Sequence, residues 1–410
     1  MNDLTKLLHF DQKSAGPHGE LHAPVYRNIA YHYEKSADIE QVFQGKRKGY
    51  SYGRQGNPTT AALEKKITLL EQGVDTAAFA TGMGAISAML FALLRSGDHV
   101  VASSYLFGNT RSLFESFERF GVKVEFTDTT DVSNVERLLT PQTRMVFVET
   151  IANPRTQVSD LARIGELCAK LGTLYVVDNT MTSPALFKPG RVGASLVVNS
   201  LSKYIAGHGV CLGGSVTDTG LFDWSRFSNI LETYRSVSPG EWGMLQIRKK
   251  GLRDMGATLS PDSANLIALG LESLEMRMER ISSNALQLAA FLEGHKLVEK
   301  VYYPGSINHP QHGLATTLFS ACSGLMSFEI APAVDVNRFI DGLTCFACSS
   351  NLGDTRSLLI PVATTIFYEL SATRRCEMDI SERLIRLSVG IEPLGDLLQD
   401  LDRALQAAAD

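Results

Sequence analysis

From Pro58 onward, apolar residues along the chain switch repeatedly between helical and strand spacing. Thr59–Glu71 carries Leu63, Ile67 and Leu70 at intervals that put them on one helical face. Short strands are predicted at Asp75–Ala80, His99–Ser103, Val122–Thr127, Arg144–Glu149, Thr173–Asp178 and Leu196–Asn199. Helical segments lie between them, from Gly82 through Leu94, at Asn109–Phe120 and at Asp160–Leu171. Short strands alternating with helices in this way predict an α/β unit whose mostly parallel sheet is covered on both faces. The pattern changes at Gly256–Pro261. A long amphipathic helix is predicted from about Ser263 to Leu297, with a break near Glu272. Strands at Leu325–Ile330 and Leu384–Val389 and a terminal helix at Leu394–Ala408 predict a smaller α+β unit. Residues 1–57 show little periodicity and several loop signals, at Gly16-Pro17, Gly45, Gly53 and Gly56-Asn57-Pro58. They read as an arm that needs another surface to pack on. The expected division is therefore 1–57, 58–256 and 257–410.

Composition narrows the function. A chain of 410 residues, 44% hydrophobic and 20% charged, is globular and long enough for two domains. Its net charge of −5 and lack of any long basic run give nucleic-acid binding no electrostatic support. The six cysteines are scattered through apolar segments, as expected of reduced thiols in a reducing compartment. Cys345-Phe346-Ala347-Cys348 is a lone pair with no second pair or nearby histidine, so no metal site is expected. No apolar stretch reaches the roughly 18 residues of a membrane span, and the N-terminal residues have no signal-peptide character. A cytoplasmic protein is expected.

Candidate chemistry concentrates at the predicted strand ends. The run Val197-Val198-Asn199 leads into Ser200-Leu201-Ser202-Lys203. Two hydroxyls can hydrogen-bond a phosphate, and a lysine of lowered pKa can form a Schiff base with an aldehyde. Asp178, closing its own predicted strand, could serve the ring nitrogen of such a cofactor. Together these are the parts that pyridoxal phosphate requires. Thr81-Gly82-Met83-Gly84 stands between a strand and a helix. It reads equally as a tight turn or, with Ser200 and Ser202, as an anion site at a helix N-terminus. Arg54, after Tyr52-Gly53, offers either a phosphate fork or a surface salt bridge. Asn153-Pro154 follows the strand ending at Glu149, where ligands of open α/β sheets collect, although a turn would explain the pair too. Arg386 lies among apolar neighbours in Leu384–Val389 and needs a partner, either a substrate carboxylate or a structural acid.

These segments carry a resemblance. YGRQGNPTT at Tyr52–Thr60, ATGMGA at Ala80–Ala85, ETIANP at Glu149–Pro154, VVDNT at Val176–Thr180 and SLSKYIAGH at Ser200–His208 are similar to the Cys/Met-metabolism family of pyridoxal-phosphate enzymes. That is the cystathionine γ-synthase-like group of fold type I. GATLSP at Gly256–Pro261, GLESLEMRMER at Gly270–Arg280, VYYPGSINHPQH at Val301–His312 and LIRLSVGIE at Leu384–Glu392 extend the match. The resemblance implies a seven-stranded central sheet and a smaller C-terminal domain. It implies that Lys203 holds the cofactor and moves protons, that Asp178 pairs with the ring nitrogen, and that Gly82, Met83, Ser200 and Ser202 cup the phosphate. Tyr52 and Arg54 are then expected to reach in from a neighbouring subunit of a homotetramer built from site-sharing dimers. Asn153 is expected near the cofactor's 3-oxygen, Phe107 on its ring, and Arg386, with Asn351 and Asn153, on the amino-acid substrate.

The chain also departs from the family pattern. Leu106-Phe107-Gly108-Asn109-Thr110 stands where Leu-Tyr-Gly-Gly-Thr is common, so Phe107 can stack but cannot move a proton. Asn351-Leu352-Gly353-Asp354 resembles sulfhydrylases more than synthases or γ-lyases. Pro361-Val362-Ala363-Thr364-Thr365-Ile366-Phe367 replaces the usual His-Pro-Ala-Ser-x-Thr-His. The expected activity is γ-replacement on an O-acyl-L-homoserine with sulfide or cysteine. A γ-lyase that releases an α-keto acid and ammonia is the closest alternative, and a non-catalytic cofactor-binding protein is the remote one.

Overall fold

The computed structural model describes residues 2–14, 18–369 and 371–409. The Gly16-Pro17 loop signal lies outside the described residues. Seven strands form the larger sheet: β1 (Asp75–Phe79), β2 (His99–Ser103), β3 (Lys123–Thr127), β4 (Thr143–Glu149), β5 (Leu174–Asp178), β6 (Leu196–Asn199) and β7 (Gly214–Asp218). Their order is β1-β7-β6-β5-β4-β2-β3. The five strands from β6 to β3 are mutually parallel, and β7 runs antiparallel to both β1 and β6. β7 escaped the sequence reading because only Val216 is aliphatic in Gly-Ser-Val-Thr-Asp. Its Thr217 hydroxyl instead hydrogen-bonds Thr76 of β1 across the ladder, at 2.9 Å.

The apolar runs are explained by burial on both faces. Alternate residues of β4 and β5 enter different cores, Val146, Val148, Tyr175 and Val177 on one side and Met145, Phe147, Leu174 and Val176 on the other. The helix Gly82–Leu93 fills the second core. The helix Pro58–Glu71 packs into the first, along with Leu7 from the short helix Asp3–Leu8.

The interrupted helix is two helices, Pro261–Glu272 and Leu274–Gly294, meeting at Ser273. They lead to a second sheet of β8 (Val298–Tyr302), β9 (Leu325–Ile330), β10 (Ala347–Cys348), β11 (Leu358–Pro361) and β12 (Leu384–Ser388), in the order β10-β11-β12-β9-β8. β8, β10 and β11 were not anticipated. β8 is half exposed and lacks an apolar run, and β10 has only two residues. In the N-terminal segment the helix Ser36–Phe43 buries none of its residues, and Leu21, Ile29 and Phe43 are exposed.

One buried acid ties the larger sheet to its flanking helix. Glu71, the last residue of Pro58–Glu71, accepts from Asn199 Nδ2 at 2.7 Å and Asn179 Nδ2 at 3.1 Å, both through Oε1. These asparagines immediately follow Asp178 and precede Ser200, so the bond holds two strand-end turns together. Burial raises the Glu71 carboxyl to about 7. The folded protein then holds a proton that the unfolded chain releases above about 4.5, and the group's stabilisation is lost as pH rises from there through 7. Glu71→Gln keeps the accepting oxygen without the charge. The variant is expected to match the wild type at about pH 4 and to gain on it by up to about 3 kcal/mol above pH 7, the size set by the shift. Denaturant midpoints of both proteins across that range check this.

Candidate active site

The carboxyl ends of β4, β5 and β6 open into a cavity of about 490 Å³ between the two sheets. β4 delivers Glu149 and β5 delivers Asp178 in direct register, and the turn after β6 delivers Ser200 and Lys203. The start of the helix Gly82–Leu93 contributes Gly82 and Met83, and the start of Gly108–Phe117 contributes Phe107 and Asn109. Arg386 enters from β12 of the smaller sheet, and Thr365, Ile366, Phe367 and Tyr368 from the segment after β11.

Lys203 Nζ donates to Asn351 Oδ1 at 2.7 Å. Burial and the charge of Arg386 lower its ammonium from 10.5 to about 8. Arg386 is only 2% exposed. Its Nη2 donates to the carbonyls of Ser350 at 2.8 Å and Asn351 at 3.0 Å, while its buried Nε has no partner. Burial lowers this guanidinium to about 10. Such a group, held by neutral carbonyls, is prepared for a carboxylate that arrives from outside.

Asp178 Oδ1 accepts the Thr180 N–H at 2.9 Å, and the Thr180 hydroxyl accepts the Ser200 N–H at 2.7 Å, so one threonine joins the ends of β5 and β6. Burial raises Asp178. Glu149 lies well above the usual carboxylate range through burial and the neighbouring charge of Asp178, despite accepting the Phe107 N–H at 2.8 Å. Glu149 fixes the backbone of Phe107, a residue that lines the cavity and is 36% exposed.

Thr81 caps its helix by accepting the Gly84 N–H at 2.8 Å, leaving the first-turn N–H groups of Gly82 and Met83 outside the helical ladder. A Cβ on Gly82 would fall 2.9 Å from Ser200 Cβ and 3.1 Å from its Oγ, so only glycine leaves room between that turn and the hydroxyl. Asn153 is buried at the cavity wall with an unpartnered Oδ1.

The structure thus brings Lys203, Asp178, Gly82, Met83, Ser200, Phe107, Asn153 and Arg386 to one cavity, with Asn351 against Lys203. It does not bring Ser202 there. That hydroxyl donates to the Gly213 carbonyl at 3.2 Å and accepts the Gly213 N–H at 3.0 Å. Tyr52 and Arg54 also lie elsewhere in the same chain. Arg54 Nη1 donates to the Arg253 carbonyl at 2.6 Å, and its guanidinium sits 5.5 Å from the Tyr52 ring centre. Sequence reasoning passed over Glu149 and Thr180. The signal for Glu149 was present, since it ends its strand as Asp178 ends the next.

Comparison with known proteins places this geometry. A family model described as Cys/Met metabolism PLP-dependent enzyme matches residues 4–406. The chain is 37% identical to the O-succinylhomoserine sulfhydrylase of Pseudomonas aeruginosa, over 95% of this chain and 92% of that protein. It is 36% identical to the L-methionine gamma-lyase of Fusobacterium nucleatum subsp. polymorphum, over 95% of this chain and 94% of that protein. A crystal structure from Campylobacter jejuni, assigned to O-acetylhomoserine (thiol)-lyase, superposes with a TM-score of 0.93 at 30% identity and covers 99% of this chain and 100% of its own. It carries N'-pyridoxyl-lysine-5'-monophosphate. The fold is that of a fold type I pyridoxal-phosphate enzyme.

The residues present fit that cofactor. The first-turn N–H groups of Gly82 and Met83 and the nearby Ser200 hydroxyl line the cavity and suit a phosphate, Asp178 is an acid at a strand end, and Lys203 has a lowered pKa. Lys203 is accordingly expected to carry the pyridoxyl mass after borohydride reduction and peptide mapping. In cofactor-free protein, labelling of Lys203 by an amine-reactive reagent is expected to rise with pH through about 8. Arg386→Leu removes the smaller of the two causes, so the midpoint should move upward yet stay below 10.5. An unchanged midpoint would separate Arg386 from Lys203.

Proposed function

We propose that this chain, which belongs to the Cys/Met metabolism PLP-dependent enzyme family, replaces the γ-substituent of an O-acyl-L-homoserine with sulfide or cysteine. It is a pyridoxal-phosphate-dependent enzyme of sulfur amino-acid metabolism. Relatives of both replacement and elimination type match it at similar identity, so the reaction type is argued from the cavity.

When bound, pyridoxal phosphate supplies the electron sink for charge that develops at the substrate's Cα and Cβ. Gly82, Met83, Ser200, Asp178, Asn153 and Lys203 would hold it. Arg386 binds the α-carboxylate, for which its buried Nε is without a partner while Nη2 is held by the Ser350 and Asn351 carbonyls. Lys203 Nζ, lowered to about 8 and steered by Asn351, removes a proton from Cα and then one from Cβ before the γ-substituent leaves, and returns a proton to each carbon after the nucleophile has bonded to Cγ. Phe107 packs beside these atoms and offers no proton.

That last point carries the proposal. A carboxylate ester leaves from Cγ with little acid assistance, whereas a thiolate needs more. Elimination retains one supporting observation. Tyr368 also lines the cavity, but it is 68% exposed and its hydroxyl donates to Glu369 Oε1 at 3.0 Å, away from a role as a positioned acid. General acid assistance contributes about 10²–10⁴ in rate. O-Acyl-L-homoserine with sulfide is thus expected to exceed methionine by roughly 10² or more in kcat/KM, and Phe107→Tyr to narrow the gap by raising elimination. Release of 2-oxobutanoate without thiol, at a rate matching ester turnover, would instead establish the γ-lyase.

The exposed N-terminal segment supports a homotetramer of site-sharing dimers, in which Tyr52 and Arg54 complete a neighbour's phosphate site. Among the described residues no helix is long and apolar enough to cross a membrane, and a cytoplasmic location completes the proposal. Neither Arg54→Ala nor Lys203→Ala should be active alone. Mixed subunits should recover partial activity, because one site of each mixed dimer is intact. Verified mixed dimers without activity would place Arg54 outside the partner's site.

A further inference from the structure

A second cavity of about 350 Å³ adjoins the first, and Asn153 and Phe367 line both. The walls differ in charge. The first cavity holds Glu149 and Asp178 with Lys203 and Arg386. The second holds two guanidinium groups, Arg111 and Arg155, and among its lining residues Asp379 is the acid.

The two arginines are differently committed. Arg111 is held on its own helix by Glu115 Oε1 at 2.9 Å and lies 4.0 Å over the Phe126 ring. Arg155 follows the Asn153-Pro154 turn at the carboxyl edge of β4. Its side chain is 16% exposed, and its guanidinium lies 4.6 Å over the Tyr302 ring. Nη1 donates to Asp379 Oδ2 at 2.8 Å and to the Met378 carbonyl at 3.3 Å, while the buried Nε has no partner. The Asp379 side chain is 73% exposed. A pair with one partner so solvated is worth little and exchanges readily. A carboxylate entering from the cavity could give Nε its missing acceptor and bond Nη2 beside it, in the bidentate arrangement that a guanidinium favours.

We infer that the second cavity receives a carboxylate carried beyond the γ-carbon of the substrate, and that Arg155 selects it. The inference rests on the γ-replacement reading above and narrows its substrate. With Arg386 on the α-carboxylate, a chain that extends past Asn153 and Phe367 presents its far end to Arg155. The acyl group is then the half-ester of a dicarboxylic acid, such as succinyl, rather than acetyl. The other source of the same chemistry is the carboxylate of an incoming cysteine.

Steady-state kinetics of the holoenzyme separate these sources. With saturating sulfide, Arg155→Gln is expected to lower kcat/KM for O-succinyl-L-homoserine by about 10-fold or more, through KM, as fits one lost charged hydrogen bond. O-Acetyl-L-homoserine should change by less than about 3-fold, and Arg155→Lys should recover part of the succinyl loss. A rise in the KM of cysteine with the acetyl ester, and no change for the succinyl ester, would keep the carboxylate site but assign it to the nucleophile. Equal losses for both esters, or no loss for any carboxylate-bearing reactant, would overturn the inference. Where wild-type enzyme turns over neither ester, the γ-replacement reading fails by itself. Calorimetric titration with O-succinyl-L-homoserine then reads the cavity. Binding about 10-fold weaker to Arg155→Gln supports the carboxylate site, and equal binding overturns it.

Discussion

Four ionisable groups are withdrawn from water at the edge of one sheet, and the site follows from how the protein tolerates them. Burial pushes Glu149 and Asp178 up and Lys203 and Arg386 down, each toward its neutral form. What holds them is uncharged: the Phe107 N–H for Glu149, the Thr180 N–H for Asp178, the Asn351 amide for Lys203, and two carbonyls for Arg386. Desolvating an ion costs several kcal/mol that such partners only partly offset. A phosphorylated aldehyde with a basic ring nitrogen and an amino-acid carboxylate supply complementary charges. The cavity is thus shaped by electrostatics that a bound cofactor and substrate complete, and the same imbalance gives Lys203 a proton affinity near the working range of a base.

The parallel arrangement of β4, β5 and β6 makes that concentration of charge geometrically possible. Parallel neighbours end on the same edge, so Glu149 and Asp178 lie side by side through register alone. The turns beyond the strands then need fixing. Thr180 spans from Asp178 to the Ser200 N–H, and Glu71 grips Asn179 and Asn199 from the flanking helix. These bonds lie behind the residues of the proposed chemistry and set their backbone positions.

Most of this was legible where the information is local. Apolar runs marked β2, β4, β5 and β6, alternation marked β3, and Ser200-Leu201-Ser202-Lys203 marked the lysine, because a strand end and its following turn are contiguous in sequence. The illegible parts depend on distant pairing. β7 is polar in sequence and exists because β1 and β6 flank it. Glu71 reads as an ordinary helix-terminal acid, and its role appears only when residues 108 and 128 positions away fold onto it. Ser202 looked equivalent to Ser200, yet Gly213 occupies both its donor and its acceptor. Tyr52 and Arg54 carry a family motif while lying away from the cavity of their own chain, which is the arrangement that a site shared between chains requires.

The unusual segment after β11 has a physical basis of its own. Val362 and Ala363 are buried with Tyr302, Ile380 and Leu384 in a small separate apolar cluster. That cluster anchors the stretch from which Thr365, Ile366 and Phe367 reach the cavity. Phe367, standing where the family commonly has a histidine, forms part of the wall between the two cavities without adding charge. Tyr302 belongs to the same cluster, and the Arg155 guanidinium rests over its ring. One apolar unit therefore sets both the wall and the cation beyond it. On the proposed function, substitutions in this segment would alter the reach of the substrate site while Lys203 and Asp178, fixed by the larger sheet, remain in place. Under that reading, the separation would let one sheet edge serve substrates that differ beyond the γ-carbon.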